Sequence, residues 1–133
     1  LNDVDGKFNK FRLKIIGENA NNHFYLATSG FEIYGKVFEM VPKKVVPTIP
    51  ENMKDLTSMV FEYEYDFDEN GLIFYLGTYA NTKNFKNPGI SGIVGVSSSG
   101  LEKDSKRIGY FIGRESVRCV TTQKEWSDME LDL

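Results

Sequence analysis

Residues 59–79 have the sequence MVFEYEYDFDENGLIFYLGTY, and this stretch decides the predicted fold. From Met59 to Phe67, apolar and aromatic residues stand at every second position, while acidic residues alternate with them from Glu62 to Asp68. Side chains that alternate with a period of two lie on opposite faces of a β-strand. The pattern therefore predicts a strand with one buried aromatic face and one hydrated acidic face.

The residues that follow this strand predict a hairpin. Asp68-Glu69-Asn70-Gly71 supplies turn-forming residues, and the run LIFYLGTY at 72–79 is nearly continuous in apolar residues. We therefore expect a second strand at 72–79 that pairs with the first across a four-residue loop.

Further short strands are predicted on both sides of this hairpin. Residues 11–16 and 24–37 flank the polar turn GENANN and resemble a second hairpin, in which Ser29-Gly30 marks a bulge or a close backbone approach. The remaining predicted strands are 93–97, 109–112, 116–122 and 126–131. Short strands separated by turn residues are typical of an antiparallel β-sandwich, so the predicted fold class is all-β.

Proline placement divides the chain. Three of the four prolines fall within residues 41–55, where each removes a backbone donor and restricts the residue before it. This composition predicts a linker at 41–55 between a first segment, residues 1–40, and a second segment, residues 56–133.

Composition narrows the classes of partner and compartment. The 133 residues include 16 basic and 19 acidic ones, and a net charge of −3 disfavours binding to nucleic acid. No apolar run approaches the roughly 18 residues that a membrane span needs. The single cysteine, Cys119, has no partner for an internal disulfide, and there is no Asn-x-Ser/Thr site. We therefore expect a cytoplasmic protein without a membrane anchor.

Motifs that could support catalysis or metal binding are incomplete. The run 66–71 matches the opening of an EF-hand calcium loop, but the twelfth position is Gly77 instead of glutamate, which favours a solvated acidic strand. The run 95–100 has two glycines of a phosphate-binding loop without the lysine. His23, the only histidine, falls in a turn. We predict no catalytic residue, metal or cofactor.

Polar loops that carry aromatic or basic residues are the candidate binding elements, because binding modules place contacts on loops of a rigid scaffold. These loops are 79–87, 97–107 and 114–118. The candidate contact residues are Tyr79, Asn84, Phe85, Lys86, Lys103, Arg107 and Arg114. Phe85 is a large aromatic residue in a polar loop. Its ring is expected either to dock against the domain or to contact a partner.

Residues 11–35, FRLKIIGENANNHFYLATSGFEIYG, resemble the closing strands of discoidin-like modules, which are β-sandwiches related to factor V/VIII type C and galactose-binding domains. The resemblance is greatest to the intracellular kind found in HECT-type ubiquitin ligases and BTB-containing proteins. The second segment resembles the beginning of such a module, at Phe61-Glu62-Tyr63, at 66–71 and at Tyr75-Leu76-Gly77-Thr78. The order is thus inverted, and the family's central strands are missing from this sequence.

Two arrangements are compatible with the inverted order. In the first, the chain spans the tail of one module, the linker and the first half of the next. In the second, it is a permuted or degenerate discoidin-like jelly roll in which residues 1–40 close the sheet begun at residue 56. The close termini of sandwich domains make the second arrangement geometrically reasonable.

The resemblance implies a non-catalytic interaction or scaffolding module of a larger intracellular protein. Its partners would be other proteins or other modules of the same polypeptide, contacted through the sandwich loops. A lectin-like domain that binds carbohydrate or another small polar ligand through Tyr79, Asn84 and Phe85 is one alternative. A structural component of a filament, assembled through unpaired strand edges, is another.

Overall fold

The computed structural model describes residues 6–38, 59–99, 107–117, 119–121 and 127–133. The predicted linker at 41–55 and the candidate residue Lys103 lie outside these ranges. In chain order the elements are β1 (Lys10–Ile15), β2 (Ala27–Thr28), β3 (Gly35–Lys36), β4 (Val60–Phe61), α1 (Leu72–Gly77), β5 (Gly95–Ser97), a 3₁₀ helix (Arg107–Ile112), β6 (Cys119–Val120) and β7 (Ser127–Asp132).

The strands form antiparallel sheets that connect the two segments. One sheet has the order β1-β7-β5, and two further pairs are β2-β6 and β3-β4. Each sheet therefore contains a strand from residues 6–38 and a strand from residues 59–133. The fold is β-rich, with one short α-helix and one 3₁₀ helix in the described part of the chain.

Complementary sequences set the β1-β7 pairing. KFRLKI and SDMELD both alternate charged or polar residues with apolar ones, and the register places Lys10 opposite Asp132 and Arg12 opposite Glu130. The Arg12 Nη2 atom lies 2.5 Å from Glu130 Oε2, and this contact raises the pKa of the guanidinium and lowers that of the carboxyl. Opposite charges directly across an antiparallel pair stabilise that register.

Strands β4, β6 and β7, helix α1 and the 3₁₀ helix all contribute buried apolar residues to one core. Phe11 and Leu13 of β1 pack inward against it, as do the partner residues Leu131 and Met129 of β7, which are fully buried. The other buried apolar residues are Phe61, Leu72, Ile73, Tyr75, Leu76, Val94, Ile108, Phe111, Ile112 and Cys119.

The predicted strand at 72–79 is wrong, because residues Leu72–Gly77 form helix α1. Leu72, Ile73, Tyr75 and Leu76 are buried, and this spacing is that of one helical face. A helix of six residues is too short to show that period clearly in a sequence, and a short apolar run of this kind equally fits a buried strand.

The buried aromatic face predicted for residues 59–67 is also wrong. The strand ends at Phe61, and the rings of Tyr63, Tyr65 and Phe67 are 56%, 61% and 72% exposed. Asp68 is buried instead, at 1% exposure, and draws the chain into a turn by accepting hydrogen bonds from its own loop. The predicted hairpin between 59–67 and 72–79 is therefore absent from the structure.

Two other predictions are wrong, and three predicted strands are present. Residues 11–16 do not pair with 24–37, because β1 pairs with β7 and only β2 and β3 form within 24–37. Residues 109–112 lie in the 3₁₀ helix and not in a strand. The predicted strands at 93–97, 116–122 and 126–131 contain β5, β6 and most of β7, respectively.

No helix in the described ranges is long and apolar enough to cross a membrane.

Candidate interaction surface

Asp68 anchors the loop between β4 and α1. Its Oδ1 atom accepts hydrogen bonds from the Tyr34 hydroxyl at 2.8 Å and the Asn70 N–H at 3.1 Å, and its Oδ2 accepts from the Glu64 N–H at 2.8 Å. Burial opposes ionisation of this carboxyl, but the hydrogen bonds outweigh it, so the pKa of Asp68 is lowered. Burial and the contact with Asp68 raise the pKa of Tyr34.

The same hydrogen bonds explain the structure of residues 66–71, which match the opening of an EF-hand calcium loop in sequence. The run 66–71 forms a turn in which the Asp68 carboxylate is occupied by the protein's own donors. Within the described residues, no group of three or more acidic, histidine or cysteine side chains is arranged to hold a metal ion.

Glu32 caps helix α1 from a distant part of the chain. Gly71 stands at the N-cap and has no side chain to bond the free helix donors, whereas Glu32 Oε1 accepts from the Ile73 N–H at 2.6 Å and Oε2 from the Phe74 N–H at 3.0 Å. A Cβ atom at Gly71 would lie 2.1 Å from Glu32 Cδ, so glycine leaves room for the cap. Burial raises the pKa of Glu32, despite the backbone donors and Arg114 that lower it.

Arg114, a predicted contact residue, joins the anchored loop to α1. Its Nη1 atom donates to the Phe67 carbonyl at 3.0 Å, and its Nη2 atom donates to the Asp68 carbonyl and lies 3.5 Å from Glu32 Oε2. The guanidinium carbon lies 4.5 Å from the centre of the Phe74 ring. Arg114 therefore connects the loop of Phe67 and Asp68 to Glu32, and its guanidinium also packs against the Phe74 ring.

Phe85 contacts the same ring. It stacks on Phe74 with ring centres 5.7 Å apart and planes inclined by 6°, and a Cβ atom at Gly77 would lie 2.3 Å from its Cε2 atom. The Phe85 ring is therefore docked on Phe74, but it is only half-buried and keeps part of its surface exposed. We call the group formed by Arg114, Phe74 and Phe85 the Phe74 stack.

Loop 79–87 carries three further candidates, Tyr79, Asn84 and Lys86. Tyr79 packs partly against the core, and Lys83 Nζ lies 5.4 Å from its ring centre. Asn84 and Lys86 are exposed on either side of Phe85. The structure thus brings two of the seven candidates, Phe85 and Arg114, together on Phe74, a residue that the sequence places in a strand.

Two candidates are not placed on this surface. Lys103 lies outside the described residues. Arg107 begins the 3₁₀ helix, and its side chain also lies outside them.

Asn87 fastens loop 79–87 to the 3₁₀ helix. Its Nδ2 atom donates to the Gly109 carbonyl at 3.0 Å and to Glu115 Oε2 at 3.2 Å. Its Oδ1 atom accepts from the N–H groups of Gly89 at 3.0 Å and Ile90 at 3.3 Å. Loop 79–87 and the segment that carries Arg114 are consequently held at a fixed separation.

Sequence reasoning missed a second surface, the acidic aromatic loop, which we define as residues 62–69. It presents Tyr63, Tyr65 and Phe67 to solvent among four exposed carboxylates. The alternating pattern predicted a buried face, and the turn-forming Asp68–Gly71 run was the only signal that the strand would end early.

Cys119 and His23, the single cysteine and the single histidine of the chain, both pack against neighbouring parts of the fold. Cys119 is fully buried, and burial raises the pKa of its thiol. His23 stacks on Tyr25 with ring centres 5.4 Å apart, in a turn that the Asn19 side chain closes by accepting from the His23 N–H.

The chain is similar to part of one much larger protein. It is 36% identical over 82 residues to the E3 ubiquitin-protein ligase Ufd4 of Drosophila melanogaster, a match that covers 58% of this chain and 3% of that protein. No family model matches the chain. No solved structure matches it. The coarser part of the resemblance, to a segment of a ubiquitin ligase, is confirmed, and the discoidin-like module stays a prediction.

Proposed function

We propose that this chain is a non-catalytic protein-interaction module of a larger intracellular protein. The similarity to a 3% portion of Ufd4 supports a role as one part of a long polypeptide. In this proposal residues 6–38 and 59–133 form one discoidin-like unit, in which the first segment closes the sheets of the second. The pairing of β1 with β7 and of β2 with β6 across the predicted linker supports this arrangement.

The observation that carries the proposed function is the Phe74 stack. Loop 79–87 contributes Phe85, and the segment after the 3₁₀ helix contributes Arg114, to the same half-buried ring. Aromatic residues and arginine are enriched among the residues that dominate protein–protein binding. Because Asn87 and Glu32 fix the elements that carry them, these groups are ordered before a partner arrives, which lowers the entropic cost of binding.

The state of Cys119 supports a non-catalytic role. A ubiquitin ligase that forms a thioester needs an accessible thiol with access to the thiolate form. Cys119 is the only cysteine of the chain, it is fully buried, and its thiol pKa is raised. Transfer chemistry would then be carried out by another part of the polypeptide.

A site-specific photo-crosslinker tests the interaction surface. We would place benzoylphenylalanine at Asn84, which is exposed beside Phe85, and, as a matched control, at Glu18, which is exposed in the turn after β1. We expect protein crosslinks at position 84 that are absent at position 18 and are lost when Phe85→Ala is added. Equal crosslinking at both positions would argue against a binding surface at the Phe74 stack.

A thioester assay tests the absence of catalysis. The folded chain is incubated with ubiquitin, its activating enzyme and a charged conjugating enzyme, and the products are separated with and without reducing agent. We expect no thiol-sensitive ubiquitin adduct. An adduct that disappears in Cys119→Ser would overturn the non-catalytic assignment.

A further inference from the structure

The acidic aromatic loop exposes three large rings at every second position within five residues. Tyr63, Tyr65 and Phe67 are each more than half exposed. Phe8 and Phe38, the other described aromatic residues that are more than half exposed, each stand alone in the sequence. Single exposed apolar residues are common on protein surfaces, whereas several exposed rings in one short loop indicate a contact site.

Contacts with neighbouring residues hold Phe67 and Tyr63 in place. Phe67 adopts a φ of 65°, its carbonyl accepts from Arg114, and its Cε1 atom would lie 3.1 Å from a Cβ atom at Gly30. The Tyr63 hydroxyl donates to Asp66 Oδ1 at 2.9 Å, and the Tyr63 ring meets the Tyr34 ring edge-on at 5.4 Å. A loop ordered in this way loses little conformational freedom when it binds.

The negative charge of the acidic aromatic loop favours a positively charged partner. Glu62, Glu64, Asp66 and Glu69 are exposed carboxylates. Arg114 donates from beneath to the Phe67 and Asp68 carbonyls and lies beside Glu32, so its charge is engaged away from the exposed carboxylates. A cationic side chain can rest on an aromatic face and pair with a neighbouring carboxylate at the same time.

From this combination we propose that the acidic aromatic loop binds an arginine- or lysine-rich segment of a protein partner. This inference rests on the proposed function and specifies the chemistry of one partner. Arginine suits the surface best, because its planar guanidinium stacks on rings and forms two parallel hydrogen bonds to a carboxylate.

Fluorescence anisotropy with the full 133-residue chain tests the inference. The probe is a fluorescein-labelled peptide of repeated Arg-Gly units, and the matched probe replaces every arginine with glutamate. The variants are Tyr65→Ala, which removes an exposed ring, and a combined variant with Glu62→Gln, Glu64→Gln, Asp66→Asn and Glu69→Gln, which keeps all rings. The controls are Phe8→Ala and Glu18→Gln, which alter an exposed ring and an exposed carboxylate elsewhere.

We expect the arginine peptide to bind and the glutamate peptide not to bind. Tyr65→Ala should weaken binding about fivefold or more, the size of one cation–ring contact, whereas Phe8→Ala and Glu18→Gln should leave it unchanged. The combined variant should lose most of the affinity, and raising NaCl from about 50 to about 300 mM should weaken wild-type binding. Circular dichroism confirms that each variant is folded.

Three results would overturn the inference: no binding of the arginine peptide by folded wild-type chain, equal binding of the glutamate peptide, or equal losses in Tyr65→Ala and Phe8→Ala. If peptide binding fails while crosslinks at position 84 persist, the acidic aromatic loop is excluded and the proposed function stands. If both fail, the proposed function fails as well.

Discussion

Replacement of Asn87 should destabilise the fold, because this buried side chain satisfies partners on two separate elements. In Asn87→Ala, the buried Gly109 carbonyl loses its side-chain donor, and the half-buried Gly89 N–H loses its acceptor. The other two partners, Glu115 and Ile90, are exposed and can turn to water.

The expected loss in the free energy of unfolding depends on how many of these partners are shielded from water. A buried polar group that loses its partner costs about 1–3 kcal/mol, and here one group is buried and one is half-buried. We therefore expect Asn87→Ala to lower the free energy of unfolding by about 2–4 kcal/mol. Asn87→Asp keeps the shape and the Gly89 contact, but it sets an anionic oxygen against the Gly109 carbonyl and the Glu115 carboxylate. This variant should also be destabilised at neutral pH, and it should recover part of the loss as acid protonates the introduced carboxylate.

Urea unfolding followed by circular dichroism measures both effects. Asn84→Ala and Asn84→Asp are the matched controls, because Asn84 is exposed three positions away in the same loop, and exposed substitutions usually stay within about 0.5 kcal/mol. If the Asn87 and Asn84 variants unfold at the same urea concentration, the hydrogen bonds of Asn87 do not hold the loop, and the reasoning is refuted.

Three further predictions concern Gly71, Glu32 and Cys119. Gly71→Ala should cost about 1–3 kcal/mol in urea unfolding, because the new Cβ overlaps Glu32, whereas Gly17→Ala, with nothing within 4 Å, should cost less than 1 kcal/mol. Since the folded pKa of Glu32 is raised, its contribution to stability is complete below its unfolded pKa and is lost as pH rises through the folded one. The stability of wild type minus that of Glu32→Gln should therefore fall with rising pH, and a flat difference would contradict the assignment. Cys119 should react with a thiol reagent only after unfolding, and rapid reaction in buffer would show that the thiol is accessible.

The strands were easier to predict than their partners. The predicted strands at 11–16 and 126–131 overlap β1 and β7, but the polar turn at 17–22 predicts that β1 pairs with the residues that follow it. The signal for the true partner was chemical: Lys10, Arg12 and Lys14 match three acidic residues of β7 in reverse order. A distant pairing of this kind is set by charge and burial together, which a search for local hairpins does not weigh.

Helix α1 could not be predicted from its own residues. It has six residues and a glycine at its N-cap, and the carboxylate that caps it comes from Glu32, 41 positions before Ile73. A tertiary contact therefore replaces the local N-cap residue that marks most helix starts. Because the sequence predicts a strand at Phe74, it does not indicate the stack that joins Phe85 and Arg114, two residues of the predicted candidate loops.

The two proposed binding surfaces share one residue. Arg114 rests on Phe74 in the stack and donates to the Phe67 and Asp68 carbonyls of the acidic aromatic loop. A carboxylate from a partner that drew this guanidinium outward would compete with the carbonyl contacts and release the loop. A cationic partner has no such attraction for Arg114 and leaves the loop ordered, with its carboxylates exposed. The arrangement therefore favours basic segments for two reasons. The exposed carboxylates attract them, and the Arg114 contacts that order the loop stay intact while they bind.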